Sequence, residues 1–433
     1  MSLSTRAQEA GKPSDKYLIW KIVKDLWDPE TNPTGYLSLG VAENTLLHDS
    51  LLQHIRQHFD PSPHALTYGD GTTGSNRLKR ALATFLTKKL SAVKEILPEH
   101  VTVTNGCSAS VEHLSWTLAN PGEGILLGQP YFRGFIPSIE LRTGVKVVPV
   151  AFKEVDPFGV EAVQKYEDAL LKSRDAGRPV AALMLCNPHN PTGRCYTRDA
   201  LVGLMKLCEK YKIHLISDEL YALSLWRNTI DTDAATPPAP FISCLSIDPT
   251  GIIDPSRLHL IWGISKDFGA NGLRIGAVIS QSNPTLHAAL VPLALYSSSS
   301  SAADHITANI VEDTPWIDNF IESNSRALSE SYSFVATWAK EKNIPYAPGA
   351  NAAFFLWIKL GQVYSERHAH LGLDSQTAEK QLDALFLKHK VFVAAGGQFD
   401  AEEAGWFRLT FAYPEVWLRE GLKRIELALD DGA

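Results

Sequence analysis

Cysteine is scarce in this chain: five residues in 433, at Cys107, Cys186, Cys195, Cys208 and Cys244. No two are spaced as Cys-x-x-Cys, and none stands with histidines at metal-ligand spacing. An odd, scattered set excludes a disulfide framework, gives no metal site, and suits thiols in a reducing compartment. Long apolar runs are missing as well. No uninterrupted stretch reaches the about 18 to 20 residues that a membrane-crossing helix needs, so no transmembrane segment is expected. Met1 to Lys16 is polar and lacks the apolar centre of a secretory signal, and the expected location is cytoplasmic. Positive charge is not in excess: 41 Lys and Arg stand against 48 Asp and Glu, a formal net charge of −7. That balance excludes nucleic acid and anionic membrane surfaces as the main partner. Internal repeats are absent. What remains is the composition of a soluble globular protein, 45% hydrophobic and 21% charged, long enough for two or three domains and a large core.

Strand and helix patterns alternate along most of the chain. Residues 1–34 read as a polar arm with one helix over Tyr17 to Trp27. Tyr36 to Asn44 is a short strand turning at Gly40, and Glu43 and Asn44 fit either a helix-capping turn or the lip of a pocket. His64 to Gly74 is a loop rich in Gly, Thr and Asp that carries Tyr68. Leu78, Leu82, Phe85, Leu86 and Leu90 share one face of a helix predicted from Ser75 to about Lys94. Val101 to Thr104 is a strand that passes through Asn105-Gly106 into a helix reaching Ala119. That turn is either a plain capped crossover or a phosphate site, since a helix N-terminus offers unpaired N–H groups and a positive dipole end.

Further strands are expected at Gly124–Gly128, Lys146–Val150, Pro179–Cys186 and Ile213–Ser217, with helices at Val160–Lys172 and Arg198–Lys210. Near-continuous apolar strands separated by helices indicate a parallel sheet covered on both faces. Ligands of such sheets sit at the carboxyl ends of the strands. Cys107, Tyr131, Asn190, Asp218 and Lys266 all fall at such ends. Asp231 to Pro240 is an acidic, proline-rich loop. Helices over Asn283–Leu295 and Ser301–Ile310 surround a serine run, Ser297 to Ser301, which suits an interface or an active-site wall. From Thr314 the texture changes. A helix to about Lys342, a strand Ala352–Leu360, a loop with His368 and His370, and a helix Ser375–His389 come first. Strands Val391–Ala394 and Phe407–Tyr413 and a last helix Glu415–Leu429 complete a smaller α+β unit. The expected division is 1–45 for an N-terminal arm and part of the small domain, 46–311 for the large domain, and 312–433 for the small one.

The stretch from Gly263 to Gly276 concentrates the chemistry. Lys266 follows an apolar run, Leu258 to Ile264, that reads as a buried strand, and a second run covers Ile275 to Ile279. Such a lysine is often only a solvated surface residue. Held at a strand end, it could instead form a Schiff base with an aldehyde cofactor whose phosphate Arg274 holds. Pyridoxal phosphate would need more partners. Asp218 could pair with the pyridine nitrogen, because a buried carboxylate needs a cation; its alternative is a helix N-cap. Asn190 and Tyr221 suit the ring hydroxyl, and Tyr131 suits stacking on the ring. The Asn105–Ser108 turn, with Cys107 and Ser108, would take the phosphate together with Ser265 and Arg274. Arg408, a charge inside the apolar run Trp406 to Thr410, could hold a substrate carboxylate with both prongs, or lie on the solvated face of its strand.

Three motifs occur in order: Asn187-Pro188-x-Asn190-Pro191-Thr192-Gly193, Ser217-Asp218-Glu219-x-Tyr221, and Ser265-Lys266-x-x-Gly269-x-x-Gly272-x-Arg274-x-Gly276. Together they closely resemble the fold-type-I aminotransferase family, over nearly the whole chain from about residue 17 to 430. Within it the chain is most similar to the 1-aminocyclopropane-1-carboxylate synthase group. The residues concerned are Leu39 to Asn44, Thr67-Tyr68-Gly69, Pro130-Tyr131-Phe132, Ile213 to Ala222, Ser265 to Gly269, and Gly405-Trp406-Phe407-Arg408. The resemblance implies an α/β, aspartate aminotransferase-like fold: a large domain with a mostly parallel seven-stranded sheet between helices, plus a smaller α+β domain. It implies pyridoxal 5′-phosphate as cofactor, and a homodimer whose sites lie at the subunit interface. Tyr68 would reach the neighbouring subunit's substrate, and Glu43 would line the substrate pocket. Two departures stand out. Gly263 occupies the place of the family's usual serine three residues before the lysine. Gly69 to Gly74 replaces the His-Gly-Leu-Pro type of sequence found in plant synthases.

The expected activity is that of a lyase on a small amino-acid-type substrate with a sulfur leaving group, either S-adenosylmethionine or a cysteine-type thioether of secondary metabolism. Lys266 would take the α-proton as general base. The alternative is an aminotransferase of an aromatic or other α-amino acid. A ligand-sensing regulator without turnover is a third class. Such proteins usually add a basic DNA-binding helix-turn-helix, for which the N-terminal arm is too short and not basic enough.

Overall fold

The computed structural model describes residues 3–12, 18–231 and 238–432. Its strands are β1 (Leu37–Ser38), β2 (Val101–Thr104), β3 (Gly124–Gly128), β4 (Lys146–Val150), β5 (Val180–Cys186) and β6 (His214–Asp218), followed by β7 (Leu258–Gly263), β8 (Gly276–Ile279), β9 (Phe355–Ile358), β10 (Val391–Phe392), β11 (Ala394–Ala395) and β12 (Phe407–Thr410). Seven of them form one sheet in the order β2-β8-β7-β6-β5-β3-β4. From β4 to β7 every pairing is parallel, while β8 runs antiparallel to both of its neighbours. The physical reason is legible in β5 and β7, which are buried at nearly every position and carry no charged residue, as strands covered on both faces must be. The fold class is α/β of the aspartate aminotransferase type.

Register brings the chemistry to one rim. Cys186 at the end of β5 pairs with Asp218 at the end of β6, and Asp218 pairs with Ile261 of β7. Gly263, ending β7, pairs with Gly276, which in turn pairs with Thr104 at the end of β2. A second, three-stranded antiparallel sheet, β11-β12-β9, places Arg408 between Ala394 and Trp357. β1 leaves the N-terminal segment to pair in parallel with β10, so Leu37 and Ser38 pack with the C-terminal part of the chain.

Several expected elements take different bounds. The predicted helix from Ser75 runs Asn76–Lys89, with the Ser75 hydroxyl accepting from Leu78 N, and the chain turns at Ser91 with a φ of 51°. The single strand expected at Val391–Ala394 divides into β10 and β11, which serve two different sheets. The strand expected at Ala352–Leu360 is confined to β9, because Ala352 bridges to Leu225 instead. Short helices at Phe135–Glu140 and Leu360–Arg367 stand where none was expected. The N-terminal arm holds two short helices, Thr5–Ala10 and Leu18–Val23, instead of one. Tyr17 and most of the proline-rich loop after Asp231 lie outside the described residues.

Candidate active site

Beyond Gly263 the chain makes one tight turn, Ile264–Asp267, that aims Lys266 into a cavity of 240 Å³ at the carboxyl ends of β5, β6 and β7. The Lys266 Nζ donates to the carbonyl of Ala42 at 2.6 Å and lies 3.5 Å from Asn271 Oδ1. Burial first, and then the positive charge of Arg408, bring the ammonium down to about 8, against the pull of Glu43. A lysine so placed has an appreciable share of free amine near neutral pH.

Asp218 lines the same cavity, is 4% exposed, and takes a hydrogen bond from Leu220 N at 3.3 Å. Burial pushes its carboxyl up to about 7, with Lys266 pulling the other way. A carboxyl this deep invites a cationic partner, and a pyridinium nitrogen is one. At the other end, Gly106 caps the helix Cys107–Leu118 with a φ of 79°. A Cβ there would fall 2.3 Å from Arg274 Nη2, so only glycine lets the arginine lie against the turn. The Ser108 and Ser265 hydroxyls, the arginine and the unpaired N–H groups of the helix start form a cradle for an anion. The set fits pyridoxal phosphate: a lysine for its aldehyde, an acid for its nitrogen and a cradle for its phosphate.

Gly263 has a local cause. A Cβ on it would sit 2.6 Å from the Cys107 sulfur, which donates to the Trp262 carbonyl at 3.4 Å. The space a serine would use is taken by this thiol, which burial pushes well above its usual range.

Asn190 joins two groups. Its Nδ2 lies 3.4 Å from the Tyr221 hydroxyl, and its Oδ1 accepts from Arg408 Nη1 at 2.8 Å. Arg408 is 3% exposed, not on a solvated face. Its Nη2 donates to the Gly40 carbonyl, and its guanidinium lies between the rings of Phe355 and Phe399, 4.5 and 4.8 Å away. Its Nε has no partner, and burial lowers its pKa to about 10. Its hydrogen bonds go to neutral groups, so its buried charge has no acidic partner among them.

Tyr131 requires correction. It does not face the cavity: its hydroxyl donates to Asp400 Oδ2 at 2.8 Å and its N–H to the Phe399 carbonyl at 2.8 Å. The next residue, Phe132, lines the cavity, while Asp400 draws the Tyr131 hydroxyl toward the segment between β11 and β12. Asn271 was also missed; it sits between Lys266 and the Ala42 carbonyl. Both residues stand inside stretches the sequence had already marked. Glu43 follows Ala42, is partly buried, and bears electrostatically on both Lys266 and Tyr413. Tyr68 is not brought to Lys266 within one chain; it is 99% exposed.

Residues 34–425 match the family described as aminotransferase class I and II. The chain belongs to this family. Its cofactor is pyridoxal 5′-phosphate, and it is an enzyme of the pyridoxal-phosphate-dependent aminotransferase family. Among its relatives, the probable aminotransferase sirI of Leptosphaeria maculans is 31% identical over 436 residues, covering 99% of this chain and 98% of the relative. The 1-aminocyclopropane-1-carboxylate synthase-like protein 1 of Mus musculus is 30% identical over 417 residues, covering 94% of this chain and 78% of the relative. A double mutant of Thermus thermophilus aspartate aminotransferase shares the family fold, with a TM-score of 0.74, 20% identity, and coverage of 99% and 100% of the two chains. As a member of the class I and II aminotransferase family, this chain has Lys266, Asp218 and the turn at Gly106 on the rim that the sheet register defines.

Proposed function

We propose that the enzyme is a carbon–sulfur lyase acting on an amino acid with a sulfur leaving group, either S-adenosylmethionine or a cysteine-type thioether. The observation that carries this reading is Glu43, whose carboxylate bears on Lys266 and Tyr413 together. Transamination needs one base that removes and returns a proton, and Lys266 suffices for it. A carboxylate on the substrate side has work to do when the substrate carries a sulfonium, or when a departing sulfur needs a proton. The synthase-like relatives support the same side of the choice.

In this reading Arg408 holds the substrate carboxylate and Asn190 orients the guanidinium from the cofactor side. Asp218 would pair with the ring nitrogen, Asn190 and Tyr221 would serve the ring hydroxyl, and Phe132 would supply an aromatic neighbour for the ring. Ser108, Ser265, Arg274 and the amide of Cys107 would hold the phosphate. When bound, pyridoxal phosphate supplies an electron sink for the pair left at the α-carbon. Lys266 takes the α-proton on Nζ, helped by a pKa near 8. The working unit is a homodimer in which Tyr68 crosses to the neighbouring site; the exposure of Leu66, Tyr68 and Tyr296, at 89%, 99% and 79%, supports a covered surface there.

The test is incubation with S-adenosylmethionine and, separately, with cysteine conjugates, assayed for methylthioadenosine, free thiol and pyruvate. Appearance of any of these with loss in Glu43→Gln supports the lyase. If keto acid from amino-group transfer is the sole product, the lyase reading is abandoned. An aminotransferase of an aromatic or other α-amino acid is then the function, as the names of the probable aminotransferases sirI and gliI among its relatives favour.

A further inference from the structure

Between the two sheets runs a strut that the chemistry above does not use. Gln129 Nε2 donates to both the carbonyl and Oδ2 of Asp400, at 2.8 and 2.9 Å. The Tyr131 hydroxyl donates to the same Oδ2 at 2.8 Å, and the Tyr131 N–H to the Phe399 carbonyl at 2.8 Å. Glu402 extends the tie, accepting from Phe152 N at 2.6 Å and Lys153 N at 3.0 Å. All the donors follow strands of the main sheet, and all the acceptors lie in the segment between β11 and β12. Asp400 has a φ of 53°, in the left-handed region that aspartate and asparagine enter more readily than other residues with a side chain. Tyr131 is 5% exposed, and burial with the nearby carboxylate keeps its phenol protonated, a donor at every working pH.

The strut ends next to the chemistry on both sides. Phe132, which lines the cavity, follows Tyr131 directly. Phe399, which precedes Asp400, presents its ring to the Arg408 guanidinium at 4.8 Å. Arg408 is therefore carried by the C-terminal sheet, while the cofactor residues belong to the main sheet, and their separation depends on what joins the two. Arg408 also bonds Asn190 and Gly40, but neither contact sets the height of the Phe399 ring beneath it.

We propose that Tyr131 and Asp400 are positioning residues, which fix Phe399 and through it hold Arg408 at the distance from Lys266 that a substrate carboxylate must span. The proposal rests on Arg408 being the carboxylate receptor. It makes Tyr131 a determinant of substrate affinity without contact to substrate or cofactor.

The experiment uses the holoenzyme and an unreactive α-methyl amino acid, whose binding is followed through the cofactor's absorbance, with KM and kcat measured on the enzyme's own substrate. Tyr131→Phe removes one hydroxyl, and Asp400→Ala removes the acceptor. Each is expected to weaken α-methyl amino acid binding and raise KM about tenfold, the size of one hydrogen bond to a charged group. kcat and the dissociation constant of pyridoxal phosphate should stay within about twofold, since no group in either machinery has changed. The double variant should lose no more than Asp400→Ala alone, because that substitution already removes the acceptor of the Tyr131 hydroxyl along with that of Gln129. Asp400→Asn keeps an acceptor oxygen and tolerates the left-handed backbone, so it should recover most of the affinity. Unchanged KM in Tyr131→Phe, or parallel losses in KM, kcat and cofactor affinity, overturns the proposal. Arg408→Lys separates the two claims: if it leaves α-methyl amino acid binding intact, the carboxylate reading itself has failed, whereas weak binding in Arg408→Lys with normal binding in Tyr131→Phe condemns the strut alone.

Discussion

Lys266 and Asp218 are matched in an unusual sense: burial drives the lysine down to about 8 and the acid up to about 7, so both exchange protons near neutrality. For Lys266 the ammonium form cannot attack an aldehyde. Covalent capture of pyridoxal phosphate by the apo-protein, followed by growth of its absorbance band, is therefore expected to quicken with rising pH, with its midpoint near pH 8 and a plateau about one unit above it. Arg408 lowers the lysine and Glu43 raises it, so Arg408→Met should move the midpoint to higher pH and Glu43→Gln to lower pH. A midpoint that stays fixed in both variants would remove these charges from the lysine's surroundings. For Asp218 the sign runs the other way. Its folded pKa of about 7 lies above the unfolded value of about 3.9, so the apo-protein bears a cost that grows as pH rises from about 4 to about 7, stays at its full size above that, and vanishes in acid. Asp218→Asn is expected to raise the urea midpoint of the apo-protein at pH 8, to leave it nearly unchanged at pH 4, and to weaken cofactor binding. Equal midpoints at pH 8 would mean that Asp218 has a cation partner without the cofactor.

At the scale of elements, the turn from β2 into the helix Cys107–Leu118 depends on one missing side chain. Gly106→Ala forces a Cβ to within 2.3 Å of Arg274 and into a φ of 79°. It is expected to weaken pyridoxal phosphate binding at least about tenfold, the reach of a lost charge-assisted contact. Equilibrium dialysis would measure this, and unchanged affinity would place the phosphate elsewhere. The same elements show what a sequence can carry. β5, β6 and β7 were legible because uncharged runs flanked by helices have one stable home, and the convergence of Asn190, Asp218 and Lys266 follows from their parallel register. Local pattern could not resolve choices made by distant partners. Val391 to Ala394 reads as one strand, yet Leu37 claims its first half and Arg408's strand takes Ala394. Tyr131 and Phe132 are adjacent aromatics after a proline, and only Asp400, far along the chain, decides which of them turns away from the cavity. The helix from Ser75 stops at Lys89 although its apolar face continues to Leu90, because Ser91 takes a left-handed turn.

At the scale of the whole molecule, one chain holds Lys266, Asp218 and Asn190 around one cavity, with Arg408 bonded to Asn190, but leaves Tyr68 outside it, 99% exposed. If the working unit is a two-fold dimer, each site combines one chain's lysine with its neighbour's tyrosine. That arrangement makes a quantitative prediction. Lys266→Ala and Tyr68→Ala should each be nearly inactive alone. After unfolding and refolding as an equal mixture, half of the dimers are mixed, and each mixed dimer contains one site with an intact Lys266 and an intact Tyr68 from the other chain. Activity should therefore return to about a quarter of the wild-type level per chain, as symmetry dictates. If the tyrosine acted within its own chain, the mixed dimer would carry no complete site and mixing would restore nothing. Activity in the mixture is thus a direct reading of whether Tyr68, exposed in its own chain, belongs to its neighbour's chemistry.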